Sequence, residues 1–523
     1  MALAAQSRLY TVASRLGQWV DAMLPSETDV LVIGAGNAAL AAAHAAREHG
    51  CRVVVLERAP EEEAGGNTRF TAGAIRVAYR GVDDLVALMP DLTQEELSVT
   101  DFGSYPEEAF FDDMGRITEY RTDPDMCELL VNRSRETLMW MKSKGIRFVP
   151  IWGRQAFKVD GRFKFWGGLT VEASGGGPGL LEAWNASAAR EGITIVYGAR
   201  AESLIVEDGA VVGAQVRHGG RTRPLRARSI VLACGGFEAN PEWRTRYLGP
   251  GWDLAKVRGS RFNTGEGIRM ALEIGASPCG NWSGCHAVGW ERNAPEFGDL
   301  AVGDHFQKHS YPWGIMLNGR GERFVDEGAD FRNYTYAKYG RVILEQPGQF
   351  AWQVFDAKVA HLLRPEYRIK QITRVTADTL EELCARLDDV DGPRALETIG
   401  AYNGAVRTEV PFDPNVKDGR GTEGLAVRKS NWANTIDTPP FEAYAVTCGI
   451  TFTFGGLRID RSGRVLDKDL EVIPGLHAAG ELVGGLFYFN YPGGTGLMAG
   501  SVFGRLAGDT AGASACAASA EAE

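Results

Sequence analysis

The chain has little that would tie it to a metal cluster, a membrane or a nucleic acid. Its eight cysteines show no CxxC or CxxCH spacing, so neither an iron–sulfur set nor an attached haem can be read. The closest pair in sequence, Cys279 and Cys285, reads as two small buried side chains, and the sparse usage suits a reducing compartment. No apolar run approaches the length of a bilayer span. A formal net charge of −11 argues against a nucleic-acid partner, which would favour a basic surface. Met1 to Ser26 has no continuous apolar core or cleavage-like site, so a secretory signal is not expected and a cytoplasmic location is. Internal repeats are not apparent. The one biased tract, Ala511 to Glu523, is rich in alanine and serine and is expected to fray.

What the chain has in excess is glycine, 65 residues in 523, which suits a backbone that must approach a large ligand closely. The length itself predicts two or three domains. Val30 to Ile33 is an apolar run, followed by Gly34-Ala35-Gly36-Asn37-Ala38-Ala39 and a small-residue stretch that reads as a helix. Gly34 allows a sharp reversal, Gly36 lets the backbone approach a pyrophosphate, and Ala39 lets the helix pack on the strand. The first N–H groups of that helix would face phosphates. Arg52 to Leu56 reads as the second strand, and Glu57 closes it where a carboxylate accepts from ribose hydroxyls. Ala64-Gly65-Gly66-Asn67-Thr68 and Thr71-Ala72-Gly73 then come too early for the helix of a nicotinamide fold. Backbone this bare usually touches a ligand. Ile473 to Glu481, with Ala478-Ala479-Gly480-Glu481, supplies a second approach late in the chain.

Alternating strand-like and helix-like segments predict an α/β protein. Ser203 to Val216 reads as a hairpin turning at Asp208-Gly209. Arg228 to Cys234 reads as a buried strand leading into Gly235-Gly236-Phe237, and Asn263-Thr264-Gly265-Glu266-Gly267 opens a helix through Gly275.

In order and kind these segments resemble the fumarate reductase and succinate dehydrogenase flavoprotein family, over about Thr28 to Gly508. The resemblance implies a Rossmann-like, discontinuous FAD-binding domain over 28–280 and 447–510. An α+β capping domain over 281–446 is inserted in it, with an extension over 1–27 and a flexible tail over 511–523. Hinges are expected near Gly280-Asn281 and Thr447-Gly449. FAD contacts are implied at Gly34, Gly36, Asn37, Ala38, Ala39, Glu57 and Arg58, and at Gly65, Gly66, Asn67, Thr68, Ala72 and Gly73. Further contacts are implied at Ala233, Gly235, Gly236, Asn263 and Gly265, and at Gly480, Glu481, Gly496 and Leu497. The FAD is expected to be non-covalent, because Gly66-Asn67-Thr68-Arg69 offers no histidine.

The resemblance also places catalytic candidates. His286 matches the histidine after the first hinge. Arg323-Phe324-Val325-Asp326-Glu327 matches an RFxNE-like segment, and Arg332 follows Glu327 by five residues, one more than in fumarate reductases. Arg332 is expected to shuttle a proton or bind a carboxylate, or else to pair with Asp330. Two departures stand out. The second hinge has no histidine, and Tyr491 in Asn490-Tyr491-Pro492-Gly493-Gly494 stands where fumarate reductases carry a carboxylate-binding arginine. That ending is similar to the tricarballylate dehydrogenase branch and, in its YPG core, to 3-ketosteroid Δ1-dehydrogenases.

Both branches imply α-proton abstraction with transfer of the β-hydrogen as hydride to flavin N5, on a CH–CH bond next to a carboxylate or carbonyl. Tyr491 is expected either to donate toward the developing oxyanion, with the Gly496 N–H as second donor, or to pack beneath the flavin. The aromatics Trp166, Trp282, Trp290, Trp313, Phe452, Phe454, Phe487, Tyr488 and Phe489 either build cores or favour a substrate with apolar bulk. A tricarballylate-like polycarboxylate is the leading substrate class and a bulkier ketone the alternative. A different class, an electron-transfer subunit with no substrate of its own, also stays open. Oxygen, a quinone or a separate protein is expected as the external electron acceptor.

Overall fold

The computed structural model describes residues 24–520, so nearly all of the extension expected over 1–27 lies outside the described residues. The chain enters on β1 (Glu27–Ile33), turns at Gly34 into α1 (Asn37–Glu48) and returns on β2 (Val53–Leu56). β3 (Arg221–Leu232) lies on the other side of β1. All three strands run parallel, with Ile33 opposite both Leu56 and Leu232. Val30 to Ile33 is buried on both faces, which is why it reads as an unbroken apolar run rather than an alternating one. The sheet extends antiparallel through Ala210–His218 and Arg200–Glu207, the expected hairpin.

A second sheet carries the other wall of the site. β4 (Pro278–Glu291) pairs antiparallel with a long strand, β5 (Phe441–Leu457), from Pro278 opposite Leu457 to Glu291 opposite Val446. β5 also pairs with Phe350–Phe355. Both positions expected as hinges fall inside these paired strands. The crossing is therefore a two-stranded ribbon, broken by irregularities between Asn281 and Cys285 and between His286 and Ala287. α2 (Tyr336–Leu344) packs on β4. β6 (Val472–Ala478) then rejoins the first sheet parallel to β3, with Leu232 opposite Ala478. The carboxyl ends of β1, β2, β3 and β6 thus meet at one edge, where an open α/β sheet binds ligands.

The final helix, α3 (Thr495–Ala520), runs through residues 511–520 of the expected tail, and 521–523 lie outside the described residues. The helix continues to Ala520, and Ala511 and Ala515 are fully buried. Its small residues form a packing face. A Cβ at Gly504 would lie 2.4 Å from the Ala38 carbonyl oxygen of α1, and one at Gly508 would lie 2.1 Å from that of Ala42. The alanine and serine content marks a close helix–helix contact rather than fraying. Among the described residues no helix is long and apolar enough to cross a membrane.

The Gly508 contact generates the first test. A methyl there meets backbone that cannot yield, so Gly508→Ala should destabilise the fold by about 1–3 kcal/mol, the scale of core overpacking. Chemical denaturation of the two proteins measures it, and an unchanged midpoint would show that the helices separate freely.

Candidate active site

Two cavities meet at the carboxyl edge of the first sheet. One, of about 890 Å³, is lined by Gly34, Gly36, Glu57, Arg58, Gly66, Ala233, Gly235 and Asn263. The other, of about 1250 Å³, is lined by Ala72, Gly496 and Leu497 and by the side chains of the second sheet. Asn37, Ala38, Asn67, Thr68, Gly480 and Glu481 wall both. The space is therefore one elongated cradle.

Each part of the cradle has a local cause. Gly34 has φ +111°, and a Cβ there would sit 2.3 Å from the Ala233 carbonyl oxygen, so the turn requires glycine. The α1 N-terminus has no side-chain cap on Gly36. Its Asn37 N–H donates to Thr68 Oγ1 at 3.1 Å, and Ala38 lines the cavity. Glu57 is 7% exposed and accepts from the Ala59 N–H at 2.8 Å. Burial pushes its carboxyl up, while the N–H groups of Ala59, Ala35 and Gly65 pull it down. Arg58 donates to Phe262 O, Thr264 Oγ1 and Glu266 Oε1 at 2.8–3.1 Å, which holds the Asn263 loop against the cavity.

At the junction, Glu481 accepts from the Thr453 N–H at 2.9 Å. Glu238, which carried no motif in the sequence, accepts from Asn67 and Asn263 at 2.6 and 2.7 Å. Its carboxyl also lies against that of Glu481. Burial raises both carboxyls. A helix N-terminus without a side-chain cap and a buried acid after β2, both lining the same cavity, fit a dinucleotide cofactor.

Five expected contacts do not line either cavity. Ala39 is fully buried in α1. Gly65, Gly73, Gly236 and Gly265 are held by close neighbours: a Cβ would lie 2.4 Å from Leu181, 2.7 Å from Gly176, 2.2 Å from Glu481 and 2.7 Å from Trp243, respectively. Close neighbours therefore call for a small residue at each of these four positions.

The larger cavity brings His286, Arg332 and Tyr491 together. Tyr491 is buried between Phe452 and Phe487, and its hydroxyl is 2.5 Å from that of Tyr336. Burial, then Tyr336, pushes the Tyr491 phenol well up. His286 lies 4.7 Å from Tyr491 ring to ring. Both its nitrogens are buried without partners among the described residues, and burial followed by the Arg258 charge keeps it neutral. Arg332 does not bind Asp330, which pairs instead with Arg116 at 2.7 Å and Lys417 at 3.4 Å. Its guanidinium donates to His309 Nδ1 at 3.1 Å and to the Arg154 carbonyl at 3.0 Å.

That contact fixes a tautomer. A guanidinium only donates, so His309 Nδ1 accepts and the proton of the neutral ring sits on Nε2. This Nε2 is buried with no partner among the described residues, and burial and the Arg332 charge hold the ring neutral. His309 thus presents an unused donor. Arg154 and Arg258 complete the wall. Both bond to Asp304, at 2.8 Å for Arg154 and 2.6 Å for Arg258, and Gln307 joins the same carboxylate at 2.6 Å. Sequence reasoning missed Arg154, Arg258, His309 and Tyr336. None has a motif spacing, and they come from four separate segments. Of the expected aromatics, Phe452, Phe454 and Phe487 line the cavity, whereas Trp290 and Trp313 are buried in hydrophobic clusters.

Comparison with known proteins agrees with this geometry. The chain matches the family described as FAD binding domain over residues 29–497. It is 30% identical over 503 residues to a probable fumarate reductase, Ifc3, of Shewanella frigidimarina, covering 93% of this chain and 75% of that protein. It is 26% identical over 562 residues to a 3-oxosteroid 1-dehydrogenase of Mycolicibacterium smegmatis, covering 93% and 97%. The solved structure of a flavocytochrome c3 fumarate reductase in an open conformation superposes with a TM-score of 0.70 at 28% identity, covering 96% of this chain and 81% of that one.

Glu57→Ala should weaken FAD retention by about 1.5–3 kcal/mol, the scale of hydrogen bonds to a charged group. Titration of the apoprotein with FAD measures it, and an unchanged affinity would reject the ribose assignment. For the non-covalent attachment, acid precipitation should release the yellow colour into the supernatant. A yellow pellet would reject it.

Proposed function

The chain belongs to the FAD binding domain family of flavoprotein oxidoreductases that act on carbon–carbon bonds, and from that premise we propose that its substrate carries a carboxylate next to the bond oxidised or reduced. The observation that supports this reading most is the convergence of Arg154, Arg258 and Arg332 on one cavity wall with Asp304 as the carboxylate that two of them share. Arg332 has no carboxylate at ion-pair distance among the described residues, and a buried guanidinium left without one is costly unless an anion arrives. A substrate carboxylate is such an anion, and a polycarboxylate of the tricarballylate kind uses more of the wall than a monoacid.

When bound, FAD supplies the acceptor or donor of a hydride. The chain's own side chains do the rest. The guanidiniums hold the carboxylate, and the His309 Nε2–H donates to one of its oxygens. Tyr491, hydrogen-bonded to Tyr336, donates where enolate charge develops, an interaction that strengthens in the transition state. Arg332, held by its bonds to His309 Nδ1 and the Arg154 carbonyl, either carries the proton or binds the carboxylate, the two roles its substitution separates. The neutral His286 sits beside Tyr491 as an orienting group. Phe452, Phe454 and Phe487, lining the same cavity, exclude water around Tyr491. The reoxidant, whether quinone, oxygen or an electron-transfer protein, is external, since no haem or cluster spacing occurs in the sequence.

The substrate class is tested by stopped-flow reduction of the bound flavin with tricarballylate, substituted dicarboxylates and 3-ketosteroids. Rapid bleaching by a carboxylate is expected. Bleaching by the ketosteroids alone would replace this reading, and response to a redox protein alone would mark an electron carrier. With the active substrate, Tyr491→Phe should keep its flavin but lose about 10²–10³ in reduction rate, as for removal of one oxyanion donor. Arg332→Ala should lower the rate if it moves the proton, whereas a rise in KM alone assigns it to binding. A Tyr491→Phe enzyme reduced as fast as the parent would leave the tyrosine a packing role.

A further inference from the structure

The closest cysteines in space are not the pair closest in sequence. The Cys51 and Cys516 sulfurs lie 3.2 Å apart although 465 positions separate them. Cys51 follows the end of α1 and is 3% exposed. Cys516 is half-buried near the end of α3. Their neighbours hold both in place. Cys51 Sγ donates to Gly512 O at 3.4 Å, Cys516 Sγ to His49 O at 3.1 Å, and His49 Nε2 meets Asp509 Oδ1 at 2.8 Å. The glycine face of α3 fixes the same two helices along their length.

We propose that Cys51 and Cys516 form an oxidation site at which the chain closes a disulfide, stapling α3 to α1 behind the FAD cradle. A disulfide requires the sulfurs to approach to about 2.05 Å, a movement of about 1 Å at the half-buried end of a helix. The oxidant is a small disulfide such as oxidised glutathione. The more exposed Cys516 attacks it as thiolate, forming a mixed disulfide and releasing one small thiol. Cys51 then displaces the second. Two protein thiols lose two electrons and two protons in all, and the small disulfide becomes two thiols. Burial and the Cys516 thiol push Cys51 up to about 12, so attack starts at Cys516 and the closing step is slow.

The staple has a consequence at the cofactor. Asn37 and Ala38 open α1, Gly496, Leu497 and Gly500 lie in the first turns of α3, and all five line the larger cavity. Asn37 Nδ2 ties the two helices at that end, donating to Leu497 O at 3.0 Å and to Ser501 Oγ at 2.9 Å. The cysteines would tie the other end. A crosslink spanning most of the chain restricts the unfolded state strongly and holds both helices on the bound cofactor.

The FAD-loaded full chain, incubated with oxidised glutathione or with dithiothreitol, is denatured in N-ethylmaleimide and mapped by mass spectrometry. The oxidised sample should yield a peptide linking Cys51 to Cys516, while Cys279 and Cys285 remain alkylated. Its thermal midpoint should rise by at least about 2 °C and its FAD should be released more slowly, with both effects reversed by dithiothreitol. Cys516→Ser and Cys516→Ala should show neither effect. Full alkylation of both cysteines after oxidation, or glutathione left on Cys516 with Cys51 free, would overturn the proposal. A link that changes neither FAD release nor the midpoint would overturn the staple role.

Discussion

The backbone of Gly34 passes so close to Ala233 that a single methyl would lie 2.3 Å from a carbonyl oxygen, and the site is arranged around that approach. It brings the ends of β1 and β3 together at hydrogen-bond distance, with Ala233 N–H donating to Ile33 O at 2.9 Å. The same reversal points the N-terminus of α1 into the cradle. α1 in turn gives α3 its packing surface, and α3 returns Gly496 and Leu497 to the cavity. A residue larger than glycine at position 34 would therefore disturb the cofactor wall, the helix pair and the end of the catalytic segment together.

The second constraint joins the segment that carries Arg332 to the one that carries Tyr491. The Gly493 N–H donates to Asn333 O at 2.8 Å, Asn490 Nδ2 donates to Tyr334 O at 2.8 Å, and the Tyr336 and Tyr491 hydroxyls meet. Beneath them the fully buried Arg76 donates to Gly493 O at 2.9 Å and pairs with Asp113, which also accepts from Tyr334 at 2.6 Å. Breaking such a pair leaves an uncompensated buried charge, so the register of the two segments is strongly held. A tyrosine in place of an arginine at position 491 fits this clasp. Its hydroxyl can share a proton with Tyr336, where a fourth guanidinium would join Arg154, Arg258 and Arg332 in a water-poor cavity.

These two constraints explain why one half of the site was legible in the sequence and the other was not. The cofactor half depends on local backbone geometry, and residues such as Gly34 and Gly480 show it because side chains are excluded there. Glu57 was legible because its place after β2 follows from the turn. Arg154, Arg258 and His309 carry no such signature. Each is an ordinary polar residue until the fold brings its segment to Asp304 or Arg332. Glu238 was missed for the same reason: its partners Asn67 and Asn263 come from segments on either side of it in the chain. The stretch from Ala511 shows the same limit, because small residues signal looseness in isolation and close packing opposite a second helix. Gly65, Gly73, Gly236 and Gly265 stand in the same motifs, and each also has a close neighbour that leaves little room for a side chain.

Charge sorting gives the last step. The chain as a whole carries −11, yet the larger cavity presents three arginines, two neutral histidines and two phenols. An acidic exterior does not draw in an anion at long range, so selection falls to the wall itself. A carboxylate that loses water on entry recovers it as charge-assisted hydrogen bonds to guanidinium and to the His309 donor. A ketone brings one neutral oxygen and leaves most of those donors unmatched, at a cost of about 1–3 kcal/mol for each one stranded in a buried site. Apolar bulk can be accommodated by Phe452, Phe454 and Phe487, but it does nothing for the arginines. In the carboxylate reading proposed above, the wall would discriminate by what a ketone leaves unpaired opposite Arg332.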